Sequence, residues 1–143
     1  MPSCKVDRSG RLIAALALLA QATAAAAAGE RPALRGVSAI RIANYNSPSV
    51  LYEGRDQVSP IVSELNALRR RAWQGGDTKL ACYSTLVVLS GKKTLGTFRI
   101  LPGHIVEREG QRGTPIYSLA LEPGDIPRLS ELLAKVPPAK NCD

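Results

Sequence analysis

The sequence predicts an α+β domain: an antiparallel β-meander of four to six strands, two helices packed on one of its faces, and one disulfide. Three observations carry that reading. Residues 79–90 and 93–101 are two runs rich in β-branched, aromatic and aliphatic residues, separated by Gly91 and Lys92; a glycine at the first central position supplies the positive φ of a type II′ hairpin turn. Two other segments, 60–73 and 126–136, place apolar residues at helical spacing along a single stripe, so each has one side to bury, and a shared sheet face is the economical place for both. Cys82 and Cys142 are the even pair left once the N-terminal segment is set aside, and in an oxidising compartment such a pair forms one bridge.

Residues 1–28 read as a secretory signal peptide. Lys5, Arg8 and Arg11 precede a short apolar run at 12–20 and an Ala-rich stretch, with Ala26-x-Ala28 as the small-residue cleavage site. A membrane anchor is the alternative, but the leucine-rich part is about half of the ~20 residues that span a bilayer, and Gln21 and Thr23 interrupt the alanines beyond it. The mature chain is expected to be one globular domain over residues 29–143, about 115 residues, enough for one modest core. The whole chain has a formal net charge of +7, and beyond residue 28 it keeps 16 of 19 Lys and Arg and 11 of 12 Asp and Glu, about +5. A basic exported chain favours anionic partners such as lipid headgroups, acidic cell-wall polymers or an acidic protein over nucleic acid.

Residues 37–43 alternate, with Ser38, Ile40 and Ile42 on one side, and read as a strand. After the turn composition of 44–48, Val50, Leu51 and Tyr52 make a second short strand that can pair with the first. Ser59 and Pro60 read as the N-cap and first residue of a helix. Its stripe is Ile61, Leu65, Leu68 and Ala72, flanked by Val62 and Trp73, with Gly75-Gly76 as the stop. Glu64, Arg69 and Arg70 fall on the polar face with Arg71 beside it, where cations complement the dipole at a helix C-terminus. Pro102-Gly103 suits a type II turn and folds residues 104–109 back as a strand; residues 114–121 form the next, with Tyr117, Leu119 and Leu121 on one face. Asp125 is expected to cap the last helix, in which Ile126, Leu129, Leu132, Leu133 and Val136 share a side before Pro137-Pro138 ends it.

With Gly91-Lys92 as the turn, the expected register sets Leu86 opposite Thr97, Thr85 opposite Phe98 and Ser84 opposite Arg99. The Pro102-Gly103 turn sets Val106 opposite Arg99 and Arg108 opposite Thr97. Alternation then puts Tyr83, Val87, Leu89, Phe98, Ile100 and Ile105 in the core. Ser84, Thr97, Arg99, His104 and Arg108 fall on the outer face, mixed with Leu86, Val88 and Leu95. Exposed aliphatics beside arginines are what interfaces use, although a plain solvated face is the simpler account.

The chemistry points away from an enzyme, a metal site or a cofactor. His104 is the one histidine and stands beside a turn, where a metal would need further N, S or carboxylate ligands. No serine lies in a Gly-x-Ser-x-Gly elbow, and no Gly-rich phosphate loop is present. Glu107 and Glu109 alternate on one strand, about 7 Å apart, and solvation beside Arg108 and Arg112 accounts for them. The expected function is that of a small exported, periplasmic protein-binding domain of inhibitor or immunity type. It would block a partner protein with Lys92 and Lys93 at the hairpin turn, Arg99, His104 and Arg108 on the sheet, and the loop at 110–113. The alternative is an envelope-associated module that holds an anionic ligand or cell-wall polymer through Arg99, Arg108, Lys92 and Lys93. Neither reading involves a nucleic acid partner or a transmembrane anchor.

Overall fold

In the computed structural model, which describes residues 29–76, 81–108 and 116–142, Gly91 takes φ +58° between β4 (Ser84–Ser90) and β5 (Lys93–Leu101). The Gly-first turn therefore forms as the sequence requires. Residues 1–28, read from the sequence as a signal peptide, Glu109, and residues 110–113, expected to form a loop, lie outside the described residues. β1 (Ala39–Ala43) and β2 (Val50–Tyr52) pair antiparallel, and β1 also pairs with β4. β5 continues through the Pro102-Gly103 turn into β6 (His104–Arg108) and on to β7 (Ile116–Ala120). A short strand, β3 (Gln74–Gly75), closes the far edge on β7. The result is one antiparallel sheet of seven strands in the order β2-β1-β4-β5-β6-β7-β3, one strand more than the upper bound read from the sequence. The extra strand is β3, which lies where Gly75-Gly76 is expected only to stop a helix.

Helix α1 (Arg55–Arg69) leaves β2 at one edge of the sheet and leads to β3 at the other. Its 15 residues span about 22 Å, against a sheet width of about 29 Å for seven strands. The helix must therefore cross the inner face. It begins a turn earlier than Ser59-Pro60 suggests: Gly54 is the N-cap, its carbonyl accepts from the Gln57 and Val58 N–H groups, and Pro60 lies inside the helix. The early start buries Val58 on the stripe of Ile61, Leu65 and Leu68, which offsets the one hydrogen bond that Pro60 cannot donate. The helix also ends early, with Arg70 at its C-cap. Ala72 is exposed, and Trp73 is buried in an extended segment, bridged to Gly29 and donating its indole N–H to the Leu68 carbonyl at 2.8 Å.

Helix α2 (Pro127–Lys135) packs beside α1 and buries Leu129 and Leu132. Its cap is not Asp125. The Glu64 carboxylate of α1 instead accepts from the Arg128 and Leu129 N–H groups at 2.7 and 3.0 Å, so one helix caps the other across the packing seam. Asp125 faces Arg71 in a two-pronged ion pair at 2.6 and 2.7 Å and accepts the Glu122 N–H. That guanidinium, and then the Glu122 N–H, hold the Asp125 carboxyl below its usual range. A depressed carboxylate contributes stability that is present above its unfolded pKa of about 4 and is lost as pH falls through the folded value. Asp125→Asn is therefore expected to flatten the acid limb of stability below about pH 4, read as melting temperature against pH; an unchanged limb would remove this pair from the account.

The core lies between the helices and the inner sheet face and holds Ile40, Ile42, Leu86, Val88, Phe98, Ile100 and Ile105 against Val58, Leu65, Leu68, Leu129 and Val136. Both helices thus pack on one face, and Tyr117, Leu119 and Leu121 flank that core together. The β5–β6 register is the expected one, Arg99 opposite Val106 and Thr97 opposite Arg108. The β4–β5 register is not. Leu89 faces Thr94, but Val88 faces Gly96, so Leu95 is an extra residue on β5 and every pair beyond it is displaced by one. This bulge turns Leu86 and Val88 inward and Tyr83, Val87 and Leu89 outward, the reverse of the expectation for β4. Truncating Leu65, which is fully buried, to alanine is expected to cost about 2 to 5 kcal/mol. The exposed Arg70 should cost less than about 0.5; equal losses in denaturant unfolding would contradict the helix phase.

The C-terminal tail is fixed to the sheet end by a Cys82–Cys142 disulfide with Cα atoms 5.6 Å apart. Asn44 supports it, donating through Nδ2 to the Leu133 and Pro137 carbonyls at 3.1 and 3.0 Å while its Oδ1 accepts from the Ser84 hydroxyl. The Lys140 N–H adds a bond to the Tyr45 carbonyl.

Candidate functional site

The outer sheet face, opposite the helices, is built in rows because opposed residues share a face. One row runs Leu51, Arg41, Val87, Thr97, Arg108, Ile116 from β2 to β7. The next runs Ala43, Thr85, Arg99, Val106, Ser118, Gln74 from β1 to β3. Arg41 is exposed, Val87, Thr97, Arg99, Arg108 and Ile116 are half-buried, and Leu51, 45 % exposed, is the large hydrophobic residue left open among the described residues. No described element packs over these rows.

Of the residues singled out from the sequence, Arg99 and Arg108 come together. They border one shallow dent with Val106 and Ile116, and Val106 beneath them is nearly buried, as expected where arginine stems cover aliphatic surface. The Arg99 guanidinium lies 4.9 Å from the Tyr83 ring centre, and Tyr83 meets Tyr45 edge to face at 5.7 Å, which holds the charge in one direction. Lys92 and Lys93 are exposed at the hairpin turn. His104 is also exposed but pairs with Leu101 at the far end of β5. Eight strand steps, about 26 Å, separate it from Lys93, so the two stand at opposite ends of β5.

Two residues read as solvated are buried. Glu107 is 1 % and Arg69 6 % exposed, and they form a hydrogen-bonded ion pair beneath the sheet. Arg31 approaches the same carboxylate at 3.6 Å and lies 3.8 Å from the Tyr117 ring centre, while the Arg69 Nε–H donates to the Pro32 carbonyl. Gly96 makes the room: a Cβ there would stand 3.3 Å from Phe98 Cε2 and 3.5 Å from Glu107 Oε1. The cluster ties the segment at 29–32, α1 and β6 together, and buries the one carboxylate of the described strands on the inner face. Away from the hairpin turn, the outer face is left with arginines and His104 as its basic residues and no carboxylate on the described strands. Among the described residues no group of three or more His, Cys, Asp or Glu is placed to hold a metal ion, and no helix is long and apolar enough to cross a membrane.

A groove of about 570 Å³ lies at the tail end, lined by Ile100, Pro102, Leu121, Ile126 and Leu133 near Cys82. Its lining is mainly apolar, with Glu122, Ser84 and Ser130 as its polar side chains. Comparison with protein families, curated proteins and solved structures finds no match to this chain. The sequence signals that point to the face are Arg99 and Arg108. Arg41, Leu51 and Ile116 are missed by sequence reasoning, although the alternation that sets Ile40 and Ile42 inward also sets Arg41 outward.

Proposed function

We propose that this chain is an exported binding protein of the inhibitor or immunity type, which blocks a partner protein by covering it with the outer face of the sheet. The observation that supports the reading is the asymmetry of that sheet: two helices and the core stiffen one face, the disulfide and the Asn44 contacts fix its end, and the other face stays open with aliphatic and cationic side chains in rows. A scaffold ordered in advance loses little entropy on binding, and arginine is enriched at interface centres, where the neighbouring aliphatic side chains add apolar area. The leader-like segment and the disulfide both support an oxidising compartment outside the cytoplasm.

The test is to immobilise residues 29–143, pass periplasmic extract over them at about 0.15 M salt, where exposed charges are screened beyond about 8 Å, and assay whatever is retained with and without added free chain. The expected result is a retained protein whose activity falls in proportion to added chain until the two are equimolar. Retention of nothing, or of a protein whose activity is untouched, would contradict the proposal. Loss of all retention at this salt, with recovery at low salt, would favour an anionic envelope ligand instead.

A further inference from the structure

We infer that the row from Leu51 through Arg41, Val87, Thr97 and Arg108 to Ile116 is the docking surface, and that its occupant is an acidic amphipathic helix of the partner protein. This rests on the binding reading above and names the surface and the partner's chemistry. The row crosses six strands in register, a length of about 24 Å, which a helix of about 16 residues covers. The inner face of the same sheet already carries a helix of similar length, α1, running between the edge strands β2 and β3, so the sheet is wide enough for a second one. Charge complementarity sets the sign. Arg41 and Arg108 stand three strands apart, about 14 Å, the distance between carboxylates two to three turns apart on a helix. Arg99 stands diagonally beside Arg108, one strand over, and is oriented by Tyr83. No described strand offers a carboxylate on this face to compete, because Glu107 is consumed inside by Arg69. Between and beyond the arginines, Leu51, Val87 and Ile116 meet the apolar stripe of such a helix. A lipid surface fits less well, since membrane-seated faces insert several large apolar or aromatic side chains, and Leu51 alone of that kind is open among the described residues.

The probe is a helical peptide of about 16 residues made of Glu, Leu and Ala, with Glu flanking a Leu stripe; the comparison probe is vesicles of phosphatidylglycerol and phosphatidylcholine. Amide chemical shifts of isotope-labelled residues 29–143 are followed during titration. The peptide is expected to move signals of β1, β4, β5, β6 and β7 along the row. Its affinity should fall at least about tenfold in Arg41→Glu/Arg108→Glu and stay within about twofold in Lys92→Glu/Lys93→Glu. Should Arg108→Glu lower the melting temperature, Arg41→Glu alone, at an exposed position, carries the comparison with a several-fold loss. Shifts confined to α1, α2 or the tail groove, no shift at all, or undiminished affinity in the Arg41 and Arg108 variants would overturn the inference, as would vesicles binding this face while the peptide does not. If the charge-reversed chain still captures and inhibits the partner from extract, this surface is wrong and the binding reading stands; if the unaltered chain captures nothing, the reading itself fails.

Discussion

Replacing Glu107 with alanine is expected to destabilise the protein by about 3 to 5 kcal/mol, because the change leaves the Arg69 charge buried without its partner. Against a total of about 5 to 15 kcal/mol for an ordinary domain, such a loss leaves a marginal fold. The effect exceeds that of a surface ion pair because the Glu107 side chain is 2 % and the Arg69 side chain 7 % exposed, so water cannot take over the role of the missing carboxylate. Glu107→Gln keeps the shape and one acceptor, and its loss should be smaller. The reciprocal change, Arg69→Ala, also removes the bond to the Pro32 carbonyl, so both single variants should be strongly weakened. Their combination should fall short of the sum, with a coupling energy of about 1 to 3 kcal/mol from a double-mutant cycle in denaturant. Additive losses would mean that the two side chains do not meet.

Loss of the Cys82–Cys142 bridge carries the second large effect. The bond closes a loop with a sequence separation of 60, and in the chain-entropy account removing such a closure relaxes the unfolded state by about 4 kcal/mol. Cys82→Ser/Cys142→Ser should therefore unfold at markedly lower denaturant, with the transition otherwise cooperative. The tail contacts through Asn44 and Lys140 are non-covalent, so they do not constrain the unfolded chain and cannot replace it. The native protein should contain no alkylatable thiol beyond residue 28, and identical midpoints for the oxidised and reduced chains would contradict the role given to the bridge.

Particular residues explain what the sequence disclosed and what it hid. The Pro102-Gly103 turn fixed one register outright, since β6 runs on without a bulge and Gly103 takes φ +76°. The β4 phase was hidden by composition: Leu86, Val87, Val88 and Leu89 are all aliphatic, so period-two alternation could not say which pair faced the helices. A clue lay in Gly96, because an isolated glycine within a strand marks a bulge or a close backbone approach, and here it serves both, beside Leu95 and beneath Glu107. Arg69 was concealed among three consecutive arginines, yet it follows Leu65 by four residues and so shares its side of the helix. Ser59-Pro60 and Asp125 misled for a common reason: a local capping signal lost to tertiary contacts, the burial of Val58 in one case and the Glu64 and Arg71 contacts in the other. Of the site, Arg99 and Arg108 were legible from strand phase alone, whereas the row through Arg41 and Leu51 requires the knowledge that β1 inserts beside β4, which no local pattern supplies.

The bulge at Leu95 decides which face of β4 is core and which row faces outward, and cross-strand nuclear Overhauser contacts test it most directly. Contacts linking Val87 with Thr97 and Leu86 with Phe98, together with Leu89 to Thr94 nearer the turn, are the predicted result. Contacts linking Leu86 with Thr97 and Thr85 with Phe98 would show an unbroken hairpin register, return Val87 to the core and dissolve the row on which the docking surface is built.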